Sequence, residues 1–191
     1  MWNLVLAFAD VVATSSDSRL GAIRLAWWRE RLEELDAGTD PPAEPRLQAV
    51  ASELVSRAVS GNELGQLENA WLPLLKAFPW NAEQANGLKL RGEIMFGVGA
   101  RLLGEAREQA AKAGAFWALV DGADHVSDPS SRQMLRNAAA AELGELEPMP
   151  RRLRVLTVLS ALAAADLVRE GSGLTRLSAA LRHRLWGNFP R

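Results

Sequence analysis

Four polar residues near the middle of the chain have the types and the spacing to bind a divalent cation. Asp121, Asp124, His125 and Asp128 lie in the segment GAFWALVDGADHVSD and recur at three- and four-residue steps. On a helix this spacing places side chains along one face, on neighbouring turns. Carboxylates placed in this way can hold Mg²⁺, which keeps several waters and binds substrate phosphates. Asp121 follows the apolar run FWALV, so we expect it at the edge of the core, where a carboxylate needs a cation or hydrogen-bond donors.

The same residues also fit a solvated helix end. Asp128-Pro129 would end the helix and leave Asp124 and His125 in water. An imidazole can serve as a general base near neutral pH, but a histidine near a helix end also interacts favourably with the helix dipole. No Ser–His–Asp or Cys–His arrangement is apparent. The spacing alone leaves both interpretations open.

A second segment combines a helical pattern with several glycines. The helix predicted from Asn81 to about Gly104 contains Gly87, Gly92, Gly97 and Gly99. Each interior glycine costs about 1 kcal/mol relative to alanine, which indicates that something approaches the backbone closely. Tight helix packing and a ligand-binding wall both fit. No strand precedes the segment and no GK[ST] ending follows it, so it is not a phosphate-binding loop.

The segment LGAIRLAWWRERLEEL, from Leu20 to Leu35, has the clearest helical periodicity in the chain. Its predicted apolar face consists of Leu20, Ile23, Trp27, Leu32 and Leu35, and Trp28 widens it. Two adjacent tryptophans on a helix point about 100° apart. We therefore expect this helix to contact neighbours on two sides within a bundle.

Similar periodicities predict an all-α fold of eight or nine helices. Helix-forming residues outweigh β-branched ones, and short turns with proline or glycine separate the segments. The predicted helices cover approximately residues 2–12, 20–36, 46–59, 62–78, 81–104, 107–126, 129–143, 151–169 and 174–185. No internal repeat or linker is apparent, so we expect one domain over residues 1–191.

Charge is unevenly distributed along the chain. Residues 151–191 hold eight arginines and two acidic residues, although the whole chain has a formal net charge of −1. In the last helix, arginines lie beside a stripe formed by Leu174, Leu177, Leu181 and Leu185. A basic end of this kind could contact a phosphate, a lipid headgroup or nucleic acid, or it could be an ordinary solvated face.

The remaining composition bears on where the protein acts. The absence of cysteine excludes disulfides and fits a reducing compartment. The apolar N-terminus MWNLVLAFADVVATSS has no basic n-region, is interrupted by Asp10 and is shorter than a membrane span, so we interpret it as a buried first helix. We therefore expect a cytoplasmic protein that can also associate with membranes. We expect no nucleic-acid partner.

Four segments together resemble the squalene/phytoene synthase family of head-to-head prenyl synthases, and the resemblance covers nearly the whole chain. AFADVVATSSD resembles that family's first helix end, and IRLAWWRERLEEL its tryptophan-bearing helix. RGEIMFGVGARLLG is similar to its glycine-containing helix, and GAFWALVDGADHVSD to its second metal-binding helix. The resemblance implies an isoprenoid-synthase bundle with a central apolar cavity, in which Gly92, Phe116 and Trp117 are the expected substrate-binding residues.

The resemblance also implies roles for three aspartates. Asp17, Asp121 and Asp128 would hold Mg²⁺, and Asp17 and Asp121 would act in catalysis on prenyl diphosphates. Ala13 and Thr14, however, stand where the leading acids of the family's first motif belong.

The second motif departs from the family as well, since Asp124 and His125 replace an Arg-Asp pair. Two hypotheses follow. The protein condenses prenyl diphosphates with Mg²⁺, weakly or not at all, or it is a non-catalytic respiratory-complex assembly factor or isoprenoid-lipid-binding scaffold with a protein partner. Peripheral membrane contact through the basic end is a further possibility.

Overall fold

The computed structural model describes residues 1–168 and 172–190 and is all-α. Within those ranges there are ten α-helices and two short 3-10 helices, and no strand. The all-α prediction is confirmed. The helices form two compact units, Met1–Ala77 and Phe78–Arg191, which are described separately. The prediction of a single domain stays a prediction.

The N-terminal unit holds the first five helices. These are α1 (Trp2–Thr14), α2 (Ser18–Asp36), α3 (Pro45–Glu53), α4 (Gly61–Gly65) and α5 (Leu67–Trp71), with 3-10 helices at Val55–Arg57 and Leu72–Leu75. The single helix predicted over residues 62–78 is thus divided into α4, α5 and a 3-10 turn. Pro73 lies near the start of that turn, and its missing N–H prevents α-helical bonding there.

The C-terminal unit holds five longer helices. These are α6 (Ala82–Leu102), α7 (Arg107–His125), α8 (Pro129–Gly144), α9 (Arg154–Val168) and α10 (Gly173–Trp186). The α6 helix begins with a capping box, in which the Asn81 side chain and the Gln84 side chain each bond to backbone N–H groups. The predicted bounds agree closely with these. The predicted end of α9 at Arg169 lies outside the described residues.

The α2 helix buries a different face from the predicted one. Leu32 and Leu35 are buried as expected, but Leu20, Ile23 and Trp27 are 60%, 66% and 41% exposed, so the prediction for these three was wrong. The buried face begins at Gly21, where an added Cβ would lie 2.6 Å from a methyl group of Leu75. Close approach at this glycine turns the neighbouring apolar residues toward solvent. The full buried set is Gly21, Leu25, Trp28, Leu32 and Leu35.

The α1 helix is less completely buried than predicted. Leu4 and Phe8 lie in the core, whereas Trp2 and Leu6 are 47% and 56% exposed. Among the described helices, none combines the length and the apolarity needed to cross a bilayer.

Glycines allow α6 and α7 to pack with their backbones almost touching. A Cβ on Gly92 would lie 2.0 Å from the carbonyl oxygen of Gly114, and one on Gly114 would lie 2.2 Å from that of Gly92. No side chain fits such a gap, so tight helix packing explains Gly92. The α7 helix also contacts α8 and α9, and Phe116 is fully buried at the centre of this unit.

Candidate functional site

An ion pair between α6 and α7 is the centre of the candidate site. Arg91 is 7% exposed, and its Nη2 donates to Oδ2 of Asp121 at 2.6 Å and to the carbonyl oxygen of Ala118 at 3.3 Å. Burial lowers the pKa of the Arg91 guanidinium, and the Asp121 carboxylate acts in the opposite direction. Asp121 lies at the edge of the core, as predicted from the FWALV run, and an arginine supplies the cation that it needs.

Aromatic packing holds this arginine in place. The guanidinium of Arg91 lies over the ring of Trp117, 5.4 Å from its centroid, and Trp117 stacks on Phe96 with centroids 5.6 Å apart. A cation above an indole face is stabilised by the ring quadrupole. Trp117 therefore supports the ion pair.

A cleft of about 160 Å³ opens beside Asp121, between α7, α9 and α10. Its walls include three carboxylates, from Asp121, Asp124 and Asp166, and one guanidinium, from Arg176. Arg176 pairs with Asp166 at 3.6 Å, Nε to Oδ1. The remaining lining residues are Trp117, Val120, Leu159, Leu162 and Ala163. The cleft thus combines an apolar floor with negative charge.

His125 lies next to this cleft without an evident catalytic partner. Its Nδ1 is 2.7 Å from the carbonyl oxygen of Asp121 and 3.7 Å from the Oδ1 of the same residue. The ring is exposed at the end of α7. This position agrees with the alternative interpretation of the sequence, in which His125 is solvated at the end of a helix.

Asp17 serves as the N-cap of α2 in the N-terminal unit. Its Oδ1 accepts a hydrogen bond from the backbone N–H of Arg19 at 2.7 Å, and the residue is exposed. Nearby, Arg24 donates to the hydroxyl of Thr14 at 3.1 Å. A hydroxyl and a guanidinium thus meet between the end of α1 and α2.

Asp128 caps the next helix, α8. Its Oδ2 accepts hydrogen bonds from the hydroxyls of Ser130 and Ser131 and from the backbone N–H of Ser131. These bonds lower the pKa of Asp128, since they favour its charged form. The hydroxyl of Ser131, which is fully buried, also accepts from the backbone N–H of Trp80 at 2.8 Å. The carboxylate is therefore held by the protein's own donors.

These contacts bear on the predicted metal site. Across residues 1–168 and 172–190, no three histidine or acidic side chains are grouped so that they could hold a metal ion. Asp121 is neutralised by Arg91, while Asp17 and Asp128 cap helices. The described side chains offer no ready-made ligand set, and Mg²⁺ binding stays a prediction.

Three residues of the site were not predicted from the sequence. Arg91 directly precedes Gly92, and a charged residue within a glycine-rich apolar helix is a signal for a buried pair. Asp166 and Arg176 lie on α9 and α10 and reach the cleft only because those helices pack together. Their sequence context gives no comparable signal.

The structure defines an all-α protein whose C-terminal unit has a small acidic cleft beside an arginine–aspartate pair. No family model, no curated protein and no solved structure matches the chain.

Proposed function

We propose that this protein is squalene/phytoene synthase-like, does not turn over prenyl diphosphates, and acts as a scaffold in respiratory-complex assembly. The ion pair of Arg91 with Asp121 carries the proposal. In the resemblance Asp121 is a Mg²⁺ ligand, whereas its Oδ2 here receives a guanidinium hydrogen bond of 2.6 Å. A carboxylate already neutralised by its own protein attracts a divalent ion less strongly than a free one.

The chemistry of diphosphate ionisation supports the same conclusion. Departure of a diphosphate needs concentrated positive charge on the leaving group, which bound Mg²⁺ supplies in an active enzyme. Ala13 and Thr14 have no carboxylate to bind such ions. The cleft beside Asp121 is lined by three carboxylates, two of which pair with Arg91 and Arg176, so its remaining charge is negative and does not attract a diphosphate that arrives without metal ions.

Turnover is the direct test. The full chain is incubated with farnesyl or geranylgeranyl diphosphate and Mg²⁺, and the extracted products are measured by mass spectrometry. We expect no product above a boiled control. Product that disappears with Asp121→Asn, and persists with Asp40→Asn in an exposed loop, would contradict the proposal.

A second candidate function is a weak Mg²⁺-dependent prenyltransferase. The observation in its favour is that Asp121, Asp124 and Asp166 share one cleft. Under this alternative, Asp124→Asn and Asp166→Asn each lower the rate of product formation. The same product assay therefore separates the two candidates.

An exposed apolar face on α2 supports a protein partner. Leu20, Ile23 and Trp27 lie at three- and four-residue steps and are each more than two-fifths exposed. Exposed aromatic and aliphatic side chains of this kind are typical of the centres of protein interfaces.

The partner can be sought with a matched pair of variants. Tagged protein is used to capture partners from a detergent-solubilised membrane fraction. We expect a respiratory-complex subunit to be enriched with the wild-type chain and with Leu72→Ser, and lost with the double variant Ile23→Ser/Trp27→Ser. An isoprenoid lipid recovered without any protein would favour the lipid-binding alternative.

A further inference from the structure

The α10 helix turns its most apolar face toward solvent. Leu174, Leu177, Leu181 and Leu185 are 80%, 57%, 54% and 60% exposed, although they recur at the three- and four-residue steps of a helix stripe. The opposite face, with Ala179 and His183, is buried. We refer to the four exposed leucines as the leucine face.

Contacts at both the side and the end of α10 fix this orientation. The buried ring of His183 lies 2.9 Å from the hydroxyl of Thr157 on α9. Arg154 donates to the carbonyl oxygens of Arg184 and Leu185 at 3.2 Å and 2.7 Å. The helix therefore cannot turn its leucines inward without losing these bonds.

Positive charge borders the leucine face on both sides. At about 100° per residue, Arg182 lies on one side of the leucine row and Arg184 on the other. Both are exposed, and within the described residues neither forms an ion pair with an acidic side chain. Arg176 pairs with Asp166, and α10 itself contains no acidic residue.

We propose that the leucine face of α10 binds the surface of an anionic lipid membrane. The leucines enter the acyl boundary, while Arg182 and Arg184 extend along the helix sides to the anionic headgroups. The proposal goes beyond the scaffold function and does not depend on it.

The charge on α10 favours an anionic membrane over a second copy of the chain as the partner of the leucine face. Two leucine faces packed together would bring the arginines of one α10 close to those of the other, with no acidic residue on either helix to pair with them. An anionic lipid surface supplies the missing negative charge along the whole row. It also accommodates an exposed apolar helix face without needing a preformed groove.

Vesicle flotation tests the proposal with the full chain. We expect binding to vesicles of phosphatidylcholine mixed with phosphatidylglycerol, weakening with added salt, and little binding to phosphatidylcholine alone. Leu177→Ser/Leu181→Ser should lower the partition at least tenfold. Arg182→Gln/Arg184→Gln should lower it roughly 25-fold at low salt, since each basic residue near such a surface contributes roughly a factor of five.

The matched control is Leu20→Ser/Ile23→Ser, which removes two equally exposed apolar side chains from α2. It should bind vesicles as the wild type does, and circular dichroism should show equal helicity for all variants. The proposal would be overturned if the α10 variants bound as well as the wild type, if the wild type bound neutral vesicles as well as anionic ones, or if it bound no vesicles. So would a dimer in solution that Leu177→Ser/Leu181→Ser dissociates, because the face would then belong to a second copy.

Discussion

At the scale of single residues, the contact between Gly92 and Gly114 distinguishes packing from ligand binding. The two backbones approach so closely that a Cβ on either residue would overlap the other's carbonyl group. A bound molecule cannot occupy this position. Gly92 therefore acts by letting α6 and α7 meet.

Gly92→Ala should lower the free energy of unfolding by about 3 kcal/mol, because the added methyl group must separate two helices. Gly144→Ala is the matched control, since a Cβ there meets nothing within 4 Å, and its stability should be equal to or higher than that of the wild type. Urea unfolding followed by circular dichroism measures both. A Gly92→Ala variant as stable as the wild type would contradict the packing account.

His183 makes stability depend on pH. Its Nδ1 lies 3.1 Å from the carbonyl oxygen of Asn188, which only accepts, so the neutral ring carries its proton on Nδ1. Burial lowers the pKa of His183, and the positive charge of Arg154 lowers it further, against the opposing effect of the hydrogen bonds that the ring donates to the backbone of Asn188 and Gly187. The folded chain thus binds a proton at this ring less readily than the unfolded chain.

We therefore expect the free energy of unfolding to fall as the pH drops below about 6.5 toward the lowered pKa of His183, since the unfolded state takes up the extra proton. Above that pH the contribution of this residue is constant. His183→Asn should flatten the slope, whereas His125→Asn, which changes the only other histidine, should keep it. Urea unfolding across this pH range is the measurement, and a slope unchanged in His183→Asn would show that another group is responsible.

At the scale of elements, the C-terminal end of α10 depends on contacts from outside the helix. Arg154 bonds to the carbonyl oxygens of Met149, Arg184 and Leu185. Gly187 follows the helix in a left-handed conformation with φ of +79°, and a Cβ there would lie 2.3 Å from the Met149 carbonyl oxygen. These bonds satisfy helix carbonyls that otherwise have no partner.

Arg154→Ala should destabilise α10 by about 2 kcal/mol, because charge-assisted hydrogen bonds to carbonyl groups are lost. Hydrogen exchange should accelerate in α10 while α6 and α7 stay protected. Arg152→Ala removes an arginine whose side chain is 75% exposed and should leave exchange in α10 unchanged. Uniform acceleration through all three helices would mean that Arg154 supports the whole unit.

The bounds of the helices in the C-terminal unit could be predicted closely from the sequence, but the side of α2 that faces inward could not. Asn81 and Asp128 cap the helices that they were expected to begin or separate, because capping is a local property of a few residues. Which side of α2 faces inward depends on the close approach at Gly21, and this requires knowledge of the helix that packs there. Periodicity shows that apolar residues share one face of a helix, but it does not show which face packs against the rest of the protein.

The same limit applies to the candidate site. The need of Asp121 for a cation follows from the apolar run before it. That the cation is Arg91, thirty positions earlier, depends on how α6 crosses α7. Pairing between helices that are distant in sequence is a tertiary property, and no local pattern encodes it.

At the scale of the whole molecule, charge is separated between the two units. Residues 1–77 hold seven basic and eleven acidic residues, whereas residues 78–191 hold fifteen basic and twelve acidic residues. The excess of basic residues is concentrated in the last part of the chain, where the leucine face lies. This distribution supports a contact between the C-terminal unit and an anionic surface.

The thermal stability of the whole chain should be insensitive to Mg²⁺. A ligand that binds only the folded state raises the melting temperature, and the rise grows with the logarithm of the ligand concentration once that concentration exceeds Kd. We expect the same melting temperature with Mg²⁺, with Mg²⁺ and inorganic pyrophosphate, and with a chelator, as measured by scanning calorimetry. A rise with Mg²⁺ and pyrophosphate that Asp121→Asn removes would instead support the catalytic alternative.

Asp36, the last residue of α2, joins the two ends of the segment that runs from α2 to α4. Its carboxylate accepts hydrogen bonds from the Ser60 hydroxyl and from the backbone N–H groups of Gly61 and Asn62. Burial alone would raise the pKa of Asp36, but these bonds lower it below its usual range. Because these bonds hold the two ends of this segment together, the exposed residues after Gly38 can be extended by an insertion at small entropic cost. A fluorescent label or an affinity tag placed between Thr39 and Asp40 lies beyond the C-terminal end of α2, away from Leu20 and Ile23 near its start, and would leave the α2 face open for study.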